Sequence, residues 1–399
     1  MQTSTLQSFC LTNFKAVQNS GDVHFTPLTA FIGYNGSGKS SLVEGMETLQ
    51  IIVERGLDEA MSNWRGFEYI WNQATRHDLQ EPQVFSREPP TRYEPRHYHT
   101  NPMRFALAGR IKRGDFWART EVNIGPGGKE LFIQYEQVVI NQQRPAWIRD
   151  SRGDVTYLDV RDVPPQDSRI GDGESILGRA LEGFVSSWQF LSLVPQMMGM
   201  PLPQRRAGGP ARLAKDGSNI AQYLLGILEL DRTAFASIAE TLQYVLPYAR
   251  DLQPQLTSEL ERAVYLQMKE SHFKVPGWLL STGTLRVLAL LAALRHPTPA
   301  PLIVIEEIEN GLDPRAVHLI VEEIRQVVES GSSQVIITTH SPYLLDLLDL
   351  SQIILTERYN GGQPVFTRPA DELSLQEWAK RFGPGKLYTM NRLGRGLPG

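Results

Sequence analysis

Apolar residues recur in three rhythms along this chain, and each change of rhythm predicts a change of architecture. Leu28 to Ile32, Leu302 to Ile305 and Val335 to Thr338 are nearly unbroken apolar runs. Such runs suit strands buried on both faces of a mainly parallel sheet. From residue 102 to 160 the pattern alternates, with Phe105, Leu107, Gly109 and Ile111 on one face. Turn signals follow at Gly125-Pro126-Gly127-Gly128 and at Arg152-Gly153-Asp154, which predicts an antiparallel meander. Residues 174 to 270 switch to helical spacing, with Leu224, Leu225, Leu228 and Leu230, then Phe235, Ile238 and Leu242. This predicts a helical insertion broken by a loop from Pro201 to Gly217. Strands and helices alternate again from 279 to 350, and the tail from Asp371 to Gly399 carries one predicted helix. The expected division is an N-terminal lobe at 1–173, a helical insertion lobe at 174–278 and a C-terminal lobe at 279–399.

The first apolar run ends in Gly33-Tyr34-Asn35-Gly36-Ser37-Gly38-Lys39-Ser40, which matches the phosphate-loop pattern G-x-x-x-x-G-K-[ST] at every fixed position. A predicted helix, Ser41 to Val53, follows. A strand that turns through glycines into a helix points successive backbone N–H groups at one place, where the positive end of the helix dipole adds to them. Gly33, Asn35, Gly36, Ser37, Gly38, Lys39, Ser40 and Ser41 are therefore the candidate phosphate-binding residues. Lys39 is placed to reach the β- and γ-phosphates, and the Ser40 hydroxyl to ligate Mg2+.

The second half of the chain carries matching chemistry. The run Leu302 to Ile305 ends in Glu306-Glu307, and acids at the carboxyl end of a parallel strand emerge where α/β folds bind ligands. Glu306 is the candidate Mg2+ ligand, and Glu307 the group that orients or deprotonates an attacking water. Asp313 precedes Pro314 and reads as the N-cap of a helix from Arg315 to Glu329, an explanation that competes with a ligand role. His340 follows another buried strand and is placed to reach a γ-phosphate. Ser281 and Gly283, in Leu280-Ser281-Thr282-Gly283, open a helix and form a second candidate anion site, with plain capping as the alternative.

Taken in order, these are a phosphate loop, a long insertion, a Ser-x-Gly helix start, a double acid, an Asp loop and a histidine. That order resembles the ABC-type ATPase head of the SMC/RecF family. It is also similar to bacterial AAA-family ATPases related to the OLD nucleases of phage-defence systems. The resemblance runs over roughly residues 5 to 380 and is densest at 31–41, 280–290, 302–314 and 335–342. It implies an α/β P-loop NTPase, an ABC/RecF-like head with an antiparallel β meander and a helical insertion lobe. In its terms Ser281 and Gly283 are the signature motif, Glu306 and Glu307 the Walker B pair, Asn310 to Asp313 the D-loop and His340 the switch histidine. Lys15 matches a basic residue near the nucleotide; an exposed strand lysine is the equal alternative. The implied cofactors are ATP and Mg2+, and the implied assembly is a head-to-tail homodimer, or a higher homo-oligomer, through the ATP sites. The signature of one copy would complete the site holding Lys39, Ser40, Glu306, Glu307 and His340 of the other.

The chain departs from the family in places. Glu306 stands where SMC proteins usually carry Asp, and both acids coordinate Mg2+. The Q-loop glutamine has three candidates, Gln73, Gln189 and Gln196. No heptad pattern is sustained between 57 and 279, so long coiled-coil arms are not expected. The stretch from Ser341 to Gly399 has no room for a Toprim nuclease domain, so nuclease chemistry would come from a separate effector chain. The expected role is the regulatory or sensor subunit of an antiphage system. The competing reading is a RecF-like DNA-binding repair ATPase.

Composition narrows these choices. A net charge of −4 over 399 residues means that any DNA contact must be local. The candidates are Arg87, Arg92, Arg96 and His97 in one loop, and Arg205, Arg206, Arg212 and Lys215 in another. Tyr93 and Tyr98 could stack on bases in the first. The single cysteine, Cys10, excludes an intrachain disulfide. With no apolar run of about 18 residues and no basic-then-apolar leader in Met1 to Cys10, the expectation is a cytoplasmic protein without membrane contact.

Overall fold

The computed structural model describes residues 4–72, 101–125, 130–141, 147–150, 154–157, 170–203, 212–257, 262–270, 272–359 and 362–394. It divides into two units. The first comprises Met1–Phe25, Gly33–Trp188 and Thr356–Phe366; the second comprises Thr26–Ile32, Gln189–Leu355 and Thr367–Gly399.

An antiparallel sheet dominates the first unit. The strand Thr5–Phe14 pairs with Met103–Ile111, which pairs with Gly114–Ile124, which pairs with Leu131–Ile140. Met103, Phe105, Leu107, Gly109 and Ile111 are all buried while the residues between them are only partly so. This is the alternation expected of a sheet with one face on a core. The phosphate-loop helix, Lys39–Arg55, buries Leu42, Val43, Met46, Leu49 and Ile52. These positions lie on one helical face. Glu136 is fully buried beneath the meander, where it accepts from Thr120 Oγ1 (3.0 Å), Ser175 Oγ (2.7 Å) and Ile176 N (2.9 Å).

A mainly parallel sheet organises the second unit. Gln189–Leu191, Leu302–Ile305, Gln334–Thr339, Leu28–Ile32 and Ile353–Glu357 lie side by side in that order, each pairing being parallel, and Val365–Thr367 closes the order. Every residue of Leu28–Ile32, Leu302–Ile305 and Gln334–Thr339 is buried. The helices Thr282–Leu294 and Pro314–Glu329 contribute Leu285, Leu288, Leu291, Ile320 and Ile324 to the same core.

The helical spacing between 174 and 270 corresponds to Ile220–Leu230 and Arg232–Val245. The same insertion also holds a small antiparallel sheet of Leu202–Pro203, Ala263–Glu270, Ala249–Leu256 and Phe273–Pro276. Its central strand buries Val264, Leu266 and Met268. The signal was period-two alternation, which the stronger helical rhythm before it obscured. Among its described residues the tail holds two helices, Leu373–Phe382 and Pro384–Thr389, where one is predicted. Gly383 at φ +77 ends the first, and Pro384 at the first helical position starts the second.

Candidate functional site

The phosphate loop lies in the first unit. Gly36 (φ +76) and Gly38 (φ +110) take left-handed backbone, which a side chain would strain. The turn is closed by Ser37 N donating to Tyr34 O at 3.1 Å. Pro364 packs against the Cα of Gly38, leaving no room for a Cβ there. The helix that follows has no side-chain cap at its N-terminus. Lys39 is 6% exposed, and its ammonium donates to Gly33 O (2.5 Å) and Tyr34 O (3.1 Å). Ser37 Oγ is buried with no hydrogen-bond partner. Asn35 and Ser40 are exposed, and Ser41 is partly so. An uncapped helix start, a lysine and an orphaned hydroxyl together fit a phosphate chain.

Lys15 also belongs to this unit. Its ammonium is 2.7 Å from Glu44 on the phosphate-loop helix and 3.6 Å from the centre of the Trp64 ring. Lys15 takes φ +47, and its carbonyl accepts from Asn72 Nδ2 at 2.6 Å.

The second unit gathers the remaining residues. Glu306 and Glu307 follow the strand Leu302–Ile305 directly, and Glu306 N donates to Leu191 O at 2.8 Å. Lys215 Nζ lies 3.7 Å from Glu306 Oε1. Lys215 is fixed from behind, because its carbonyl accepts from Ser192 N at 2.8 Å. Glu307 is exposed and takes φ +47, an uncommon conformation for a residue with a side chain. It is held there by Glu307 N donating to Thr338 Oγ1 (2.9 Å) and by Asn310 Nδ2 donating to Glu307 Oε2 (3.2 Å). His340 follows the strand Gln334–Thr339, and its backbone N–H donates to Glu309 Oε1 at 2.5 Å.

The helix Thr282–Leu294 is capped by Ser281 Oγ, which accepts from Thr284 N at 3.1 Å. A methyl on Gly283 would stand 2.9 Å from the Gly311 carbonyl, so only glycine lets the helix start lie this close to the Asp loop. Asp313 caps the helix Pro314–Glu329, accepting from Arg315 N (2.8 Å) and Ala316 N (3.1 Å). Burial pushes the Arg286 guanidinium down from its ordinary value, and the nearby acids Glu307 and Glu309 oppose that shift.

The structure thus groups the predicted residues into two sets. Residues 33 to 41 and Lys15 share the first unit, and Ser281, Gly283, Glu306, Glu307, Asp313 and His340 share the second. Sequence reasoning passed over Thr338, Glu309 and Arg286, although all three stand within or beside the motifs it singled out. Lys215, a candidate DNA contact, is drawn instead to Glu306. Gln189 donates its amide to Leu213 O (2.8 Å) and Phe190 O (3.1 Å) at the start of its strand, the end opposite Glu306. Gln73, Arg87, Arg92, Tyr93, Arg96, His97, Tyr98, Arg205 and Arg206 lie outside the described residues.

Residues 208–346 match the family model described as "AAA domain, putative AbiEii toxin, Type IV TA system". The Nod factor export ATP-binding protein I of Sinorhizobium fredii (strain NBRC 101917 / NGR234) is 29% identical over 170 residues. That alignment covers 43% of this chain and 45% of the relative, so the chain spans less than half of that protein's length. Among solved structures, an SMC head bound to the C-winged helix domain of ScpA aligns with TM-score 0.52 at 14% identity. It covers 91% of this chain and 97% of that one. The Pyrococcus furiosus SMC head with an extended coiled coil, bound to the C-terminal domain of ScpA, aligns with TM-score 0.52 at 13% identity. It covers 95% of this chain and 100% of that one.

The likeness is to ABC- and SMC-type ATPases. At 13–14% identity the solved structures speak for the fold, a P-loop NTPase of the SMC-head kind. Among the described residues, no helix is long and apolar enough to cross a membrane.

Proposed function

We propose that the chain is a Mg2+-dependent ATPase that binds and hydrolyses ATP at a head-to-tail dimer interface. Strand register carries this reading. In the sheet of the second unit Ile305 pairs with Ile337, and Thr339 with Ile32. Neighbouring parallel strands therefore end at nearly the same level. The segments that follow them in sequence are the acid pair, His340 and the phosphate loop. Open α/β sheets bind ligands at the carboxyl ends of their strands.

In this reading the loop N–H groups and Lys39 grip the β- and γ-phosphates, for which the ammonium turns from the carbonyls of Gly33 and Tyr34. Ser40 and Glu306 would hold Mg2+, which when bound neutralises charge on the phosphate oxygens. Lys215 is the counter-charge of Glu306 until then. Glu307 accepts a proton from the attacking water as that oxygen bonds to the γ-phosphorus and the bond to the β–γ bridging oxygen breaks. His340 holds the γ-phosphate. Ser281 and Gly283 of a second copy close over it, and Asp313 orders that edge by capping its helix. Lys15 acts on the phosphate-loop helix through Glu44.

The biological role we infer is the regulatory subunit of an antiphage system that controls a separate, nuclease-like effector. The toxin and Type IV toxin–antitoxin wording of the matching family model supports it. Glu307→Gln tests both levels. The variant should bind ATP, turn over at least about 100-fold more slowly, and accumulate as an ATP-dependent dimer in light scattering. Wild-type turnover would remove Glu307 from catalysis, and a monomer with ATP bound would overturn the shared site. In cells carrying the neighbouring genes, the same variant should lose protection in a phage plating assay. Undiminished protection would count against the regulatory role.

A further inference from the structure

The segment between the acid pair and the helix Pro314–Glu329 touches two elements at once. On one side Gly311 lies against Gly283 at the start of the helix Thr282–Leu294. On the other, Glu309 reaches the end of the strand Gln334–Thr339 and accepts the His340 N–H at 2.5 Å. The sheet ladder stops at the Thr339–Ile32 pair, so the next N–H along the chain needs another partner. A carboxylate supplies one, and a bond to an ionised acceptor is short and strong. It fixes the Thr339–His340 peptide and with it the direction in which the imidazole leaves the strand. The following turn is fixed as well: Ser341 N donates to Thr339 Oγ1 at 3.0 Å, and Ser341 Oγ accepts from Leu344 N at 3.2 Å.

Glu309 bears a cost in this role. Its second oxygen, Oε2, is buried without a hydrogen-bond partner, and an ionised group left short of partners is expensive. The compensating charge is Arg286, on the helix whose start touches Gly311. Its guanidinium is anchored by Nη2 donating to Leu193 O at 2.8 Å, and Glu307 and Glu309 are the two acids in its field. Glu309 is bonded to the His340 backbone, while Arg286, whose side chain lies beside Gly311, acts on Glu309 through its field.

We propose that Glu309 is the positioning residue of His340: its carboxylate holds the histidine's backbone in the orientation from which the imidazole meets the γ-phosphate. This inference rests on the ATPase reading for its kinetic consequence but not for its structural one. Reach and acceptor character are what it requires, so three substitutions separate it from a general need for charge. Glu309→Gln keeps both and should leave kcat within about threefold of wild type. Glu309→Asp keeps the charge but is one methylene short, and Glu309→Ala loses the acceptor. Both should lower kcat at least about tenfold, with KM changed less than about threefold. In a His340→Ala background Glu309→Ala should cost less than about twofold more, because the two act as one. The second readout is amide hydrogen exchange of the nucleotide-free protein over 338–344. Protection of the His340 N–H should fall in the Asp and Ala variants and persist in the Gln variant. An aspartate variant with wild-type kcat and protection, or effects that multiply in the double variant, would overturn the proposal. If the wild-type chain hydrolyses no ATP, the ATPase reading fails by itself. The exchange data then decide on Glu309 alone: an unchanged His340 amide in Glu309→Ala sinks it.

Discussion

At the scale of single residues, the site is built from groups held in conformations they would not choose. Glu307 occupies left-handed backbone at φ +47, bound there through Thr338 and Asn310. Lys39 is buried against two carbonyls of its own loop. A cation so placed exchanges those bonds for phosphate oxygens without first being stripped of bulk water, which favours binding. A hydrogen bond to a charged group contributes about 1.5–3 kcal/mol, so Lys39→Ala should weaken ATP binding by roughly 10- to 150-fold. Isothermal titration checks this, and unchanged affinity would remove the phosphate-loop assignment. The identity of these residues was legible in the sequence, because glycine, lysine and serine at fixed spacing have few other uses. The strain at Glu307 was not, since a backbone angle depends on partners 31 positions away such as Thr338.

At the scale of elements, the helix Thr282–Leu294 explains why capping and ligand roles need not compete. Ser281 caps the helix and so sets where its N-terminus stands. Gly283 lets that N-terminus approach the Asp loop, with no space for a methyl beside the Gly311 carbonyl. Gly283→Ala would gain about 1 kcal/mol of helix propensity on an exposed helix. Here the carbonyl must give way, and overpacking costs typically 1–3 kcal/mol. A net loss of up to about 2 kcal/mol, seen as a lower urea midpoint at constant m, is the expected outcome. A stabilised variant would mean that the contact with Gly311 is loose. Strand and helix types here followed from local rhythm, and the strand Leu28–Ile32 runs over the residues its apolar run predicts. The small sheet around Ala263–Glu270 did not stand out, because a strand's value lies in its partners, and those are remote in sequence.

At the scale of the whole molecule, stability answers to groups far from any phosphate. His296 is 9% exposed and stacks on Tyr223 with ring centres 5.1 Å apart. Burial pushes its pKa below the ordinary histidine value, against a smaller opposing effect of the Thr298 backbone bond. The folded state therefore prefers the neutral ring. Its contribution is complete above the unfolded value of about 6.5 and is lost as pH falls from there through the lowered folded value. Unfolding midpoints measured between about pH 7.5 and 5 should fall on the acid side. His296→Asn should flatten that part of the curve, and an unchanged slope would exclude His296 as its source. The sequence by itself displayed the glycine-lysine-serine pattern, the acid pair and the histidine, and it pointed to the kind of fold, because each rests on short-range patterns. Only the tertiary structure decided that Lys215 faces Glu306, that Glu309 holds His340 and that Arg286 stands among the acids. Those pairings join segments that the chain separates by 21 to 91 positions. Which distant charges meet is set by the strand order of the sheet, and no local pattern encodes it.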